Sequence, residues 1–227
     1  MPIIGVQAYA RIIELNVRLW NQHKGKPLVI GFHAPKGTGK DSTALGMREV
    51  AERYEEHEPW VSAIADPLYK AVAVITDMDV DWLQDQVNKN RPFTEADTPV
   101  STLWGKTPRF LLEMLGTEFV RNCISPNHWV SLKRGLIAFK HDQGIFWHLI
   151  TDIRFSEECA ICDVVIELRR KGIEYGGEAD HVSTRRLPAE FITDTIWLDA
   201  YERTPEAYVE LYQRILTTAL DATKNKV

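Results

Sequence analysis

Residues 28–42 read LVIGFHAPKGTGKDS, an apolar run that passes directly into a turn holding two glycines and two lysines. Leu28-Val29-Ile30-Gly31-Phe32 shows no polar alternation, the pattern of a strand buried on both faces in a parallel sheet. Gly37 and Gly39 let the backbone beyond it turn tightly, because neither carries a Cβ. Helix-forming sequence follows from about Asp41 to Glu56. A turn between a buried strand and a helix start aims successive backbone N–H groups at one point, and the helix dipole makes that point attractive to an anion. The segment therefore restricts the chain to an α/β sheet with an anion-binding turn at a strand's carboxyl end.

The turn approximates the P-loop pattern G-x-x-x-x-G-K-[ST], whose lysine reaches the β- and γ-phosphates of a nucleoside triphosphate. Ala34 stands at the first glycine, and Asp41 stands at the hydroxyl position beside Lys40. A hydroxyl comes one residue later, at Ser42, and the missing adjacent hydroxyl leaves the usual metal ligand open. Asp41 suits a helix start electrostatically. The alternative is a Gly/Lys turn that binds nothing.

The rest of the chain alternates strands and helices. Residues 7–23 have helical periodicity at Ile12, Ile13, Val17 and Trp20, ended by Gly25 and Pro27. Val61–Ile64, Ile145–Ile150, Asp163–Leu168 and Thr195–Leu198 are further expected strands. Helices are expected over 67–76, from Thr107-Pro108, over 127–140 and from Thr204-Pro205. The apolar stripe of the 107 helix is Phe110, Leu111, Met114 and Leu115, and that of the last helix is Tyr208, Leu211, Tyr212, Ile215 and Ala219. Residues 84–106 are polar and irregular, an expected mobile arm; residues 169–192 are charged and glycine-containing, a lid candidate. The expected fold is a three-layer α/β architecture with a five-stranded parallel sheet and helices on both faces. An amphipathic helix over 1–26 precedes the main domain, 27–227, and packs either on that domain or on a second subunit in a homodimer.

Composition narrows the functions. With 27 Lys+Arg against 32 Asp+Glu the net charge is −5, which argues against duplex nucleic acid as a partner. No apolar run approaches the ~18 residues of a membrane span. Arg11 and Glu14 in the opening segment argue against a signal peptide. Three cysteines, Cys123, Cys159 and Cys162, fit a reducing compartment, so a cytoplasmic location is expected. Cys159 and Cys162 form a C-x-x-C with no second pair for zinc, and small-apolar packing is their expected role. His33, His128 and His181 offer no metal-ligand spacing and are expected to be structural.

Two polar groupings accompany the turn. Strand three ends in Thr151-Asp152-Ile153-Arg154, where an acid can hold magnesium and an arginine can grip a phosphate. Arg109, Glu113, Thr117 and Arg121 follow at steps of four along a helix, which is a polar strip or a solvated face. Arg169, Arg170, Arg185 and Arg186 flank the glycines of the lid candidate.

Taken in order, APKGTGKDS, ADPLYK, TPRFLLEMLGTE, PNHW and TDIRFSEE resemble the phage deoxynucleoside monophosphate kinases, within the P-loop nucleoside-phosphate kinases. The resemblance runs from about Leu28 to about Leu211. It implies an enzyme that transfers the ATP γ-phosphoryl group to a deoxynucleoside monophosphate with Mg²⁺, supplying diphosphates for phage DNA synthesis. It assigns Gly37, Thr38, Gly39, Lys40, Asp41 and Ser42 to the ATP phosphates, and Lys40, Asp152 and Arg154 to catalysis, with Ser42 and Asp152 toward the metal. It assigns Lys36, Leu68, Tyr69, Arg109, Gly116, Thr117, Trp129, Asp152, Arg154 and Glu158 to the acceptor. Where the family reads P-L-K this chain reads Pro67-Leu68-Tyr69-Lys70, and in the arm Asp85 is followed by Lys89 and Pro92 rather than paired with arginine. Other readings are a different P-loop small-molecule kinase, phosphomevalonate-kinase-like, and a nucleotide-binding module without turnover.

Overall fold

β1 (Leu28–His33) is hydrogen-bonded on both sides, and all six of its residues are buried. The computed structural model describes residues 6–54, 58–85, 87–177, 181–201 and 204–224. Within them, β2 (Trp60–Ser62), β3 (Trp147–Ile150), β4 (Val164–Arg169) and β5 (Asp194–Trp197) complete a five-stranded sheet in the order β2-β3-β1-β4-β5. Every pairing is parallel. Helices flank this sheet, so the expected three-layer α/β fold is the one that forms.

Register is pinned at the strand starts. The Asp163 carboxylate accepts from Val29 N–H at 2.9 Å, and Asp163 N–H donates to Val29 carbonyl at 2.8 Å, which sets β4 against β1. Thr193 does the same for β5: its hydroxyl accepts from Val165 N–H at 3.1 Å and its own N–H donates to Val165 carbonyl at 2.8 Å. Because the strands are parallel, all their carboxyl ends lie along one edge.

The chain divides into two compact units, Met1–Ala63 with Lys133–Val227, and Ile64–Leu132. The first holds the sheet, α1 (Val6–His23), α2 (Lys40–Tyr54), α7 (Ser156–Cys159) and α8 (Pro205–Thr223). Thr204 caps α8 by accepting from Ala207 N–H at 3.2 Å, with Pro205 at the first helical position as its sequence predicts. The core joins β1, β3 and β4 to α2 and α8, and α1 belongs to it through Ile12, Leu15 and Leu19. This corrects the expected stripe of α1: Ile13, Val17 and Trp20 are exposed, because the buried face is the neighbouring row. α1 packs on α8 of its own chain, where Gln22 Nε2 donates to Leu220 carbonyl (3.0 Å) and Gln213 Nε2 donates to Ala8 carbonyl (2.7 Å). Among the described residues no helix is long and apolar enough to cross a membrane.

The second unit contains α3 (Asp66–Thr76), α4 (Val80–Gln84), α5 (Pro108–Glu113) and the start of α6 (His128–Asp142). Thr107 caps α5 as expected, accepting from Phe110 N–H at 3.1 Å. Beyond Glu113 the helix widens into π form over Met114–Ile124, a rarely extended geometry. The expected stripe is corrected here too. Phe110 and Met114 are exposed, while Leu112, Gly116 and Val120 are buried at steps of four, a spacing that the wider turn beyond Glu113 keeps on one face. Residues 87–106 are irregular but built around buried Phe93 and Thr98. Phe93 stacks on Trp82, and Arg91 pairs with Asp97 at 2.6 Å.

His148, on β3, is fully buried, and burial pushes its imidazole down to about 4, against the opposing effect of Ile145 carbonyl. The unfolded chain titrates near the ordinary histidine value of about 6.5 and so binds more protons below it. Stability from this residue is therefore complete above about pH 6.5 and lost as pH falls through about 4, on the order of 3 kcal/mol in all. Urea unfolding between pH 7 and pH 4 is expected to show that loss, and His148→Leu is expected to flatten it.

Candidate functional site

The turn after β1 has the backbone its glycines predict. Gly37 has φ +84 and Gly39 φ +104, both in the region that side chains disfavour. Between them Thr38 is buried, its hydroxyl donating to Pro35 carbonyl at 2.9 Å. α2 starts at Lys40, so the amides of its first turn open toward the same bend. Lys40 Nζ lies 3.0 Å from the carboxylate of Asp41, which is itself mostly exposed. Lys36, Asp41 and Ser42 are exposed on the turn and the first helical residues.

Strands on both sides of β1 deliver arginines to this edge. Just past β4, Arg170 donates its Nε–H to Thr38 carbonyl at 3.1 Å, joining it directly to the turn. From the loop after β3, Arg154 is half-buried, and its guanidinium makes no hydrogen bond or ion pair among the described residues. Asp152 is 7 % exposed at the same strand end. A cleft of ≈ 330 Å³, counting its open mouth, adjoins the turn and is lined by Gly39, Thr43, Arg170, Leu198, Tyr201 and Tyr208 among others.

Glu158 faces inward. It is 2 % exposed, and one carboxylate oxygen accepts from the N–H groups of Arg154 (2.7 Å) and Phe155 (3.2 Å). Its described bonds thus shape the loop that carries Arg154. Cys159 and Cys162 are free thiols. Burial, with the Glu158 carboxylate adding to it, pushes the Cys159 thiol up to about 11, so it is inert at neutral pH. Cys162 packs where a Cβ on Gly31 would come within 2.7 Å of its sulfur.

The described parts of the lid candidate, 169–177 and 181–192, lie along this edge, and its residues 178–180 lie outside the described residues. Glu167, fully buried on β4, takes a two-pronged pair from Arg186 at 2.7 and 2.8 Å and a bond from the Thr195 hydroxyl at 3.0 Å. Burial pushes its carboxyl up, yet these partners together hold it below the usual range. Arg169 pairs with Glu174 at 2.8 Å and lies over the rings of Tyr175 and Trp197. Arg170, of the four flanking arginines, is thus bonded to the turn. The sequence signal for this cluster was a lone acid inside the apolar strand VVIELR.

The second unit gathers the remaining acceptor assignments from distant stretches of sequence. A Cβ on Gly116 would come within 2.6 Å of a Leu68 methyl group, so the glycine lets Leu68 pack closely there. Trp129 is buried and donates its indole N–H to Gly116 carbonyl at 3.0 Å, a packing role. Tyr69 bonds Lys89 through its hydroxyl, and Lys89 also lies over its ring. Arg109 donates to Asn90 at 2.7 Å and pairs with Glu113 at 3.6 Å, and Thr117 is half-buried one turn beyond.

Among the described residues no three His, Cys, Asp or Glu side chains are grouped as a metal cage. No known family model matches the chain, and no curated protein matches it.

The Glu167–Arg186 pair gives a direct test of how the lid candidate is held. Arg186→Ala leaves a buried carboxylate with Arg169 as its remaining charged partner, and is expected to destabilise the fold by at least about 2 kcal/mol in urea unfolding.

Proposed function

We propose that the protein is an ATP-dependent nucleoside monophosphate kinase acting on deoxynucleoside monophosphates. The observation that carries the reading is the strand–turn–helix of residues 28–54, with two positive-φ glycines, Lys40 at the helix start and Arg170 bonded to the turn. Backbone amides, an ammonium group and a guanidinium around one bend suit a triphosphate tail. The adjoining cleft between Arg170 and Tyr201 opens beside the turn, on the side where the nucleoside end would extend. The acceptor class rests on the sequence resemblance.

In this reading an oxygen of the acceptor monophosphate attacks the γ-phosphorus of ATP, the bond to the β–γ bridging oxygen breaks, and ADP leaves with that electron pair. The acceptor oxygen is already anionic at neutral pH, so no strong general base is needed. Catalysis consists of positioning and of neutralising charge on the transferring group. Lys40 and Arg154 supply positive charge, and Arg170 fixes the turn. Magnesium is held through one or two carboxylates together with substrate phosphates. Asp152 at the end of β3 and Ser42 in the first turn of α2 would hold the ion in that mode rather than in an all-protein cage, and the ion would supply further neutralisation.

A second reading, a nucleotide-binding module without turnover, draws on the Lys40–Asp41 pair, which offers the ammonium a partner other than phosphate. ADP release with ATP, Mg²⁺ and a panel of dGMP, dTMP, dCMP, dAMP, modified pyrimidine monophosphates and non-nucleotide phosphate monoesters separates these readings. The module would show binding heat and no ADP, whereas turnover confined to a non-nucleotide phosphate would favour the other P-loop kinases.

Lys40→Ala is expected to lower turnover at least about a thousandfold with the unfolding midpoint unchanged. Near-normal transfer by the folded variant would remove the cradle from the mechanism. Arg154→Ala is expected to lower kcat/KM about a hundredfold, or ~2.7 kcal/mol. A loss of about tenfold or less would leave Arg154 a structural residue.

A further inference from the structure

His33, the last residue of β1, lies where three segments meet. It is 2 % exposed. Its Nδ1 is 2.7 Å from Ile153 carbonyl, and its Nε2 accepts from Leu187 N–H at 3.0 Å. An acceptor at Nε2 carries no proton, so Nδ1 carries it and donates to Ile153. The ring also stacks on Tyr175 at 4.8 Å and 11°. Tyr175 is in turn covered by the Arg169 guanidinium, 5.3 Å from its ring, and Arg169 lies 5.5 Å from the Trp197 ring. One continuous stack therefore crosses the carboxyl ends of β1, β4 and β5. Ile153 sits between Asp152 and Arg154, while Arg169 precedes the arginine bonded to the turn.

We propose that His33 is a positioning residue for phosphoryl transfer, a neutral clasp that ties the Asp152–Arg154 loop to Tyr175 and Leu187 across the end of β1. It touches no reacting group. It fixes the loop that carries Arg154 through Ile153 carbonyl, holds the stretch that carries Arg170 through Tyr175, and holds Leu187 through its amide. This inference rests on the kinase reading for its kinetic consequence but not for the clasp itself.

Three variants separate the two bonds. His33→Phe keeps a ring against Tyr175 and removes both. His33→Asn keeps a donor near the Nδ1 position, and His33→Gln keeps an acceptor near Nε2. His33→Phe is expected to lower kcat between about ten- and a hundredfold with KM for ATP within about twofold. His33→Asn is expected to regain most of that kcat, and His33→Gln to regain protection of the Leu187 amide in hydrogen exchange, which His33→Phe loses. Wild-type kcat in folded His33→Phe, or equal losses in all three variants, overturns the positioning role. Should His33→Phe not fold, the comparison of Asn with Gln decides by the same criterion. Should the wild-type chain transfer no phosphate from ATP to any monophosphate, the kinase reading fails. Leu187 exchange then decides the clasp: equal protection in wild type and His33→Phe overturns it.

Discussion

The central strand carries this structure because it is paired on both sides in parallel. β1 exchanges hydrogen bonds with β3 and β4, and its six residues see no water. Parallel pairing places the carboxyl ends of β1, β3 and β4 side by side, so whatever polar residues follow them converge without further design. The glycine turn, the Asp152–Arg154 loop and Arg170 are brought together in this way, although more than a hundred positions separate the first from the last along the chain.

Burial at that edge is costly, and the way it is compensated explains the polar cluster beneath the 169–192 segment. A carboxylate with no exposed surface, Glu167, is tolerated because Arg186, Thr195 and Arg169 all reach it. His33 is tolerated because both ring nitrogens have backbone partners, and burial keeps its imidazole below the usual histidine range. The same groups that satisfy buried charge also fasten a long irregular segment to the sheet. Structural compensation and arrangement of the site are here one set of contacts.

The second unit follows another principle. Its irregular stretch is organised by a few buried residues, Phe93 and Thr98, and by a glycine, Gly116, that admits Leu68 against a widened helix. Lys89 and Asn90, adjacent in sequence, engage Tyr69 and Arg109 respectively. Residues assigned to the acceptor by resemblance are thereby linked through a short turn that no periodicity in the sequence marks.

The strand order of residue types, the helix caps at Thr107 and Thr204 and the positive-φ glycines were all legible in the chain, because each depends on local backbone chemistry that the side chain itself imposes. Which of two adjacent apolar rows on α1 is buried was not, since Ile12–Leu15–Leu19 and Ile13–Val17–Trp20 have equivalent helical spacing and only packing on α8 chooses between them. The π-widening after Glu113 was hidden for a similar reason: the period read from sequence presumes the α geometry that the fold abandons there. The roles of His33, Glu167 and Tyr175 likewise came from tertiary structure alone. A buried polar group is defined by its partners, and these lie far from it in sequence, joined only when the strands fall into register.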